Sequence, residues 1–132
     1  DRLWVLESGE GTLAVCDLDA GTVETVAELP GFTRGLSFLG PLAFIGLSEV
    51  RESATFGGLP LTGRLEERQC GVWVVNIETG QTIAFLRFED LVQEIFAVHA
   101  LPGVRFPEIA EHGSDAVKLT FVLPDEALAD SA

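Results

Sequence analysis

The 132-residue sequence has no tyrosine and no methionine, and its only lysine is Lys118. Seven arginines make up the remaining bases, so 8 positive residues face 21 acids and the net charge is −13. A surface of that sign is repelled by phosphate backbones, which argues against nucleic acid as a partner. No apolar run approaches the roughly 20 residues of a membrane helix, so no membrane partner is expected. No charged-then-apolar leader opens the chain, so no signal peptide is expected. Cys16 and Cys70 stand apart in apolar contexts and form no CxxC. They read as two buried thiols of a cytoplasmic protein, with a disulfide allowed but not required.

What is present is β-forming. Hydrophobic residues make up 47% of the chain and mean hydropathy is +0.32, which excludes a disordered polymer. Apolar runs at 3–6 (LWVL), 12–18, 22–29, 34–39, 42–47, 72–77 and 81–88 are separated by turn residues. Asp17-Leu-Asp-Ala-Gly21 and Asn76-Ile-Glu-Thr-Gly80 are two such turns, each placing Gly where φ must be positive. They lie 59 positions apart, with Val15 meeting Val74 and Leu36 meeting Ile95, while LWVL and LAFI (42–45) recur at 39. Removing a polar excursion at 49–70 leaves a repeat of about 40 residues, the length of a propeller blade. Such blades are apolar on both faces.

This spacing predicts an all-β fold of about two antiparallel four-stranded propeller-type blades plus a trailing strand, a partial β-propeller. One domain spans 1–124: a first repeat at 3–48, the inserted loop 49–70, a second repeat at 71–101 and a trailing strand at 117–123. Residues 125–132 form a tail. The stretch 88–100 also satisfies a helical pattern, with Asp90 as N-cap and Gln93 closing a capping box. The repeat favours an outer strand at 95–100. Leu13, Val15, Leu36, Phe38, Phe44, Ile45, Val72, Val74, Ile77 and Phe85 are the expected core.

The segments GFTRGLSFLG, AFIGLSEVRES, FGGLP, CGVWVVNIETG and ALPGV resemble an uncharacterised bacterial family, domain of unknown function 4915. Its members are conserved hypothetical proteins, sometimes joined to tetratricopeptide repeats. The resemblance covers residues 3 to about 108. It implies a propeller-like fold in a chain at least twice as long, of which this sequence is the C-terminal portion. It implies no known activity. Arg34, Gly35, Gly46, Leu47, Ser48, Arg51, Glu52, Phe56, Gly58, Leu59 and Pro60 match its signature. Ala97 stands where an acidic residue would follow Phe96, which leaves Glu94 without an acid pair.

Several motifs could carry chemistry. Asp17 and Asp19 resemble the opening of a calcium loop, but the ligand register of an EF-hand is absent and a hairpin turn fits better. His99 and His112 lack a paired Cys or a close acid, so no metal site and no cofactor is expected. Ser48 sits in Ile-Gly-Leu-Ser-Glu rather than G-x-S-x-G, which does not make a nucleophile elbow. Arg34, Arg51, Arg64 and Arg68 gather half of the bases into the central stretch. They either converge on an anion through bidentate contacts or pair with Glu49, Glu52, Glu66 and Glu67.

Two functional classes follow. One is a propeller-type binding or interaction module, with Arg34, Ser48, Arg51, Glu52 and Glu94 as ligand-binding candidates and an arginine cluster for an anion. The other is a propeller-supported enzyme using Arg34, Glu52 and Glu94 or His99 around a central polar pocket. Expected partners are a second copy or the missing part of a longer chain, together with a small anionic ligand or a protein.

Overall fold

Turn chemistry cuts the chain into strands. The computed structural model describes residues 2–49, 58–65 and 67–118. Strands β1 (Arg2–Glu7), β2 (Thr12–Asp17) and β3 (Thr22–Glu28) form one antiparallel sheet in sequence order. Strands β4 (Phe32–Leu39), β5 (Leu42–Ser48), β6 (Cys70–Asn76) and β7 (Thr82–Phe88) form a second. Hydrogen bonding thus groups β4 and β5 with β6 and β7 across the 49–70 excursion, and among the described residues the first sheet holds three strands rather than four. By contact density the chain divides into Asp1–Pro102, which holds both sheets, and Gly103–Ala132.

The two matched turns are alike. Asp17 Oδ1 accepts the N–H groups of Asp19 and Ala20 at 2.9 and 3.0 Å; Asn76 Oδ1 accepts those of Glu78 and Thr79 at 2.9 and 3.3 Å. Gly21 and Gly80 then donate to the Asp17 and Asn76 carbonyls at 2.8 Å, with φ of +66° and +70°. Aligning these turns aligns the ladders beneath them. Arg2 pairs with Asp17 as Leu42 pairs with Asn76, and Glu7 with Thr12 as Leu47 with Gly71.

The β1-to-β5 offset is therefore 40, not the 39 that LWVL and LAFI give on the page. One residue matters, because it exchanges the faces of a strand. Trp4 is equivalent to Phe44, Leu6 to Gly46 and Leu13 to Val72. The core joins Leu13, Ala27 and Leu29, backed by Trp4 and Leu6, to Ala43, Ile45, Leu47, Trp73 and Val75. The sheets consequently pack front to back: the front of the first covers the back of the second.

Each sheet keeps one apolar face outside this core. On the first it carries Leu3 and Val5, on the second Phe44, Val72 and Val74. Two residues depart from the expected core. Phe38 and Phe85, on the core side of their strands, are 39% and 65% exposed because β4 and β7 are the edge strands of the sheet, each with one neighbour among the described residues. Phe38 still meets Trp4, with centroids 5.8 Å apart, and Phe85 stacks on Trp73 at 5.4 Å. The other expected core residues are buried or half-buried.

The excursion is anchored in its second half. Pro60 opens a one-turn helix, α1 (Pro60–Arg64), that sinks Leu61 completely and takes a hydrogen bond from Leu61 N–H to Gly9 C=O at 3.0 Å. Residues 95–100 form neither the expected outer strand nor the alternative helix. They cross over the face of the second sheet, where no strand edge is offered to them. Of the expected trailing strand, Val117 and Lys118 belong to a short helical turn, α2 (Asp115–Lys118), and the rest lies outside the described residues. α2 is in the second unit, where Ser114 receives the Val117 and Lys118 N–H groups. No helix among the described residues is long and apolar enough to cross a membrane.

Two measurements check this reading. In urea melts Gly21→Ala is expected to cost about 1–2 kcal/mol from its left-handed backbone alone. Gly80→Ala is expected to cost more, because its methyl would also strike the Val26 carbonyl, whereas nothing surrounds Gly21. The backbone N–H groups of Ala20 and Asp19 hold the exposed Asp17 carboxyl below its ordinary 3.8. Its contribution to stability is present above that value and lost as pH falls through the lower folded-state value. Asp17→Asn, which keeps the turn as Asn76 does, is expected to flatten that acid branch of the melting curve.

Candidate functional site

The candidate residues gather where residues 93–100 lie on the second sheet. Ser48, at the end of β5, is 5% exposed. Its hydroxyl accepts the Ile95 N–H at 2.9 Å and faces the Ile95 carbonyl at 3.2 Å as donor. Glu49 N–H donates to the Gln93 carbonyl at 2.9 Å, and Ala100 N–H to Ser37 Oγ at 3.0 Å. Side chains thus satisfy backbone groups that a ladder would otherwise pair. The segment lies so close that Cβ atoms have no room at two signature glycines. A methyl on Gly46 would meet the Arg34 carbonyl and the Ile95 and Val98 side chains; one on Gly35 would meet Ala97 and Val98 backbone at 2.7–2.9 Å.

Arg34 is exposed, with its guanidinium 4.7 Å from the Phe96 ring centroid, a cation–π contact. Glu94 is exposed beside Ile95. Arg34, Ser48 and Glu94 therefore share one segment as neighbours, with the Ser48 hydroxyl committed to holding it. Arg51 and Glu52 lie outside the described residues.

The arginines have separate duties. Arg64 donates from Nη2 to the Glu10 and Leu29 carbonyls at 2.8 and 3.2 Å, and from Nη1 to Glu28 at 3.2 Å. Among the described residues its partners are the turn after β1 and the end of β3; Glu52 and Glu66 lie outside the described residues. The pairing of Pro60 as a helix opener with Leu61 and Arg64 three apart was the available sequence signal.

A polar open cleft of about 530 Å³ lies at the adjoining end of the second sheet, where the excursion returns and β7 ends. Arg68 and Arg87 line it, together with Glu49, Glu67, Glu89 and Asp90. Arg87 Nη2 reaches Glu89 at 3.1 Å. Cys70 lies in its wall; burial first, and then the Glu49 carboxylate, push its thiol above the ordinary 9.0. The neutral thiol is a poor nucleophile. Cys16 is half-buried, not buried as expected. Among the described residues no group of three His, Cys, Asp or Glu could hold a metal ion.

The sequence pattern of the family described as Domain of unknown function (DUF4915) matches residues 1–110. The chain belongs to that family. The match takes in Arg34, Gly35, Gly46, Ser48 and the whole crossing segment, so the DUF4915 region contains every contact that this segment makes. No curated protein and no solved structure matches the chain.

Ser48→Ala removes both bonds to Ile95 and is expected to cost about 1–3 kcal/mol. Hydrogen exchange at Ile95 should quicken more than exchange at Val75 in the core. Under native conditions a thiol reagent is expected to modify Cys16 before Cys70.

Proposed function

We propose that the chain is a β-propeller-type binding and interaction module whose ligand surface is the cleft at the end of the second sheet. Front-to-back packing of sheets with equivalent registers supports the propeller-type reading, since each sheet stacks on the next by one repeated operation. The carrying observation for the function is the cleft itself. It is open and mostly polar, and among the described residues two arginines and four carboxylates line it around a thiol that is kept neutral. Such a wall recognises charge, and its thiol is held neutral rather than activated as a nucleophile. The acidic excess among its described residues has the sign of the net charge of −13 and favours a partner segment carrying basic residues. The preferred partner is therefore a protein segment.

A second reading keeps one observation. Arg34 is exposed on the Phe96 ring beside Glu94, where a small anion could meet its guanidinium. Titration separates the two. With tetralysine, tetraglutamate and inorganic phosphate as probes, tetralysine is expected to shift backbone NMR signals of Gln69, Arg87 and Glu89, and Glu89→Lys to weaken it several-fold. Binding should fade with salt, since screening acts over about 10 Å at 0.1 M. Shifts at Arg34 with phosphate would favour the anion reading instead, and no response to any probe would overturn both.

A further inference from the structure

The two sheets are equivalent in register but not in strand number. β1, β2 and β3 correspond to β5, β6 and β7, so the first sheet has no counterpart of β4 among the described residues. Among the described residues the edge of β1 away from β2 is correspondingly unpaired. In the second sheet, β4 fills that place. It also rests on the front of the first sheet, where Phe38 meets Trp4 and the Thr33 hydroxyl bonds the Thr12 carbonyl at 3.4 Å.

Residues 95–100 repeat this placement one step on. They follow β7 as β4 follows β3, and they rest on the front of the second sheet, with Ile95 and Val98 against Gly46, the equivalent of Leu6. Ile95 stands 59 positions after Leu36, the same interval that relates the matched turns. The segment therefore occupies the place of a first strand, and no sheet pairs with it among the described residues. Beside it, Phe44, Val72 and Val74 remain half-buried, and Leu86 is exposed on the same face. The back of the first sheet, with Leu3 and Val5 equivalent to the core residues Ala43 and Ile45, is the surface that fits there.

We propose that residues 95–100 of one copy pair with the free edge of β1 in a second copy, completing its three-stranded sheet and stacking the copies head to tail. The proposal rests on the propeller-type arrangement but not on the cleft, so a failed ligand titration leaves it standing. Transposing the β4–β5 register fixes the pairing. Leu36 opposite Ile45 and Phe38 opposite Ala43 become Ile95 opposite Val5 and Ala97 opposite Leu3 of the next copy. Such a heterologous contact closes into a ring or grows as a filament, according to its rotation. Each copy carries −13, so association should tighten as salt screens the repulsion.

The test is oxidative cross-linking in a Cys16→Ser background, beside sedimentation velocity of the unmodified chain. Leu3→Cys and Ala97→Cys variants, each exposed at the new thiol, are made separately and checked for unchanged melting. Mixed and oxidised, they are expected to give a covalent heterodimer at least ten-fold above either variant oxidised alone. Arg2→Cys in place of Leu3→Cys should lower the yield several-fold. The sedimentation coefficient should rise with protein concentration and with salt. A monomer at every concentration and salt, cross-links no stronger in the mixture than in the separate variants, or equal yields from Arg2→Cys and Leu3→Cys would each overturn the proposal.

Discussion

Everything in the first unit depends on one apolar contact, that of Leu13, Ala27 and Leu29 with Ile45, Leu47, Trp73 and Val75. Burying side chains of this size contributes roughly 1.5–3 kcal/mol each. The contact joins unlike faces of like sheets. Had the faces been alike, the pair would leave two like faces outside, and no further sheet could follow by the same operation. Joining front to back leaves an apolar front and an apolar back still to be covered.

The signature residues acquire physical meanings on this frame. Gly35 and Gly46 are absences of side chain that let residues 95–98 lie against β4 and β5. Ser37 and Ser48 replace the backbone partners that this crossing segment gives up. Arg34 covers Phe96 from outside. A motif dense in Gly, Ser and Arg thus marks a packing arrangement, and the charged cleft lies at its border through Glu49 and Gln93.

The strands were legible because their turns announce themselves: Asp17 to Gly21 and Asn76 to Gly80 fold as their letters require. Sheet membership was not legible, because β5 and β6 pair across the excursion and nothing local to Ser48 or Cys70 records that pairing. The one-residue error between LWVL and LAFI has the same origin; both runs are apolar throughout, so no alternation pins the register. Residues 95–100 have strand-like letters, and what they lack is a neighbouring edge, which only three dimensions reveal. Of the site, Ser48 and Arg34 were found by motif, but the roles of their side chains depend on Ile95 and Phe96, some 50 to 60 positions later. The carbonyl partners of Arg64 were out of view for the same reason, lying at Glu10 and Leu29.

The anchoring of α1 has a consequence for how the two sheets hold to each other. Leu61 donates to the Gly9 carbonyl and Arg64 to those of Glu10 and Leu29, so a helix that comes between β5 and β6 in the chain is fastened to the first sheet. Arg64 thereby ties residues 35 and 54 positions apart, and the entropy of closing such loops rises only slowly with their length. The helix works as a clasp: the strands on either side of it belong to the second sheet, while its bonds hold the rim of the first.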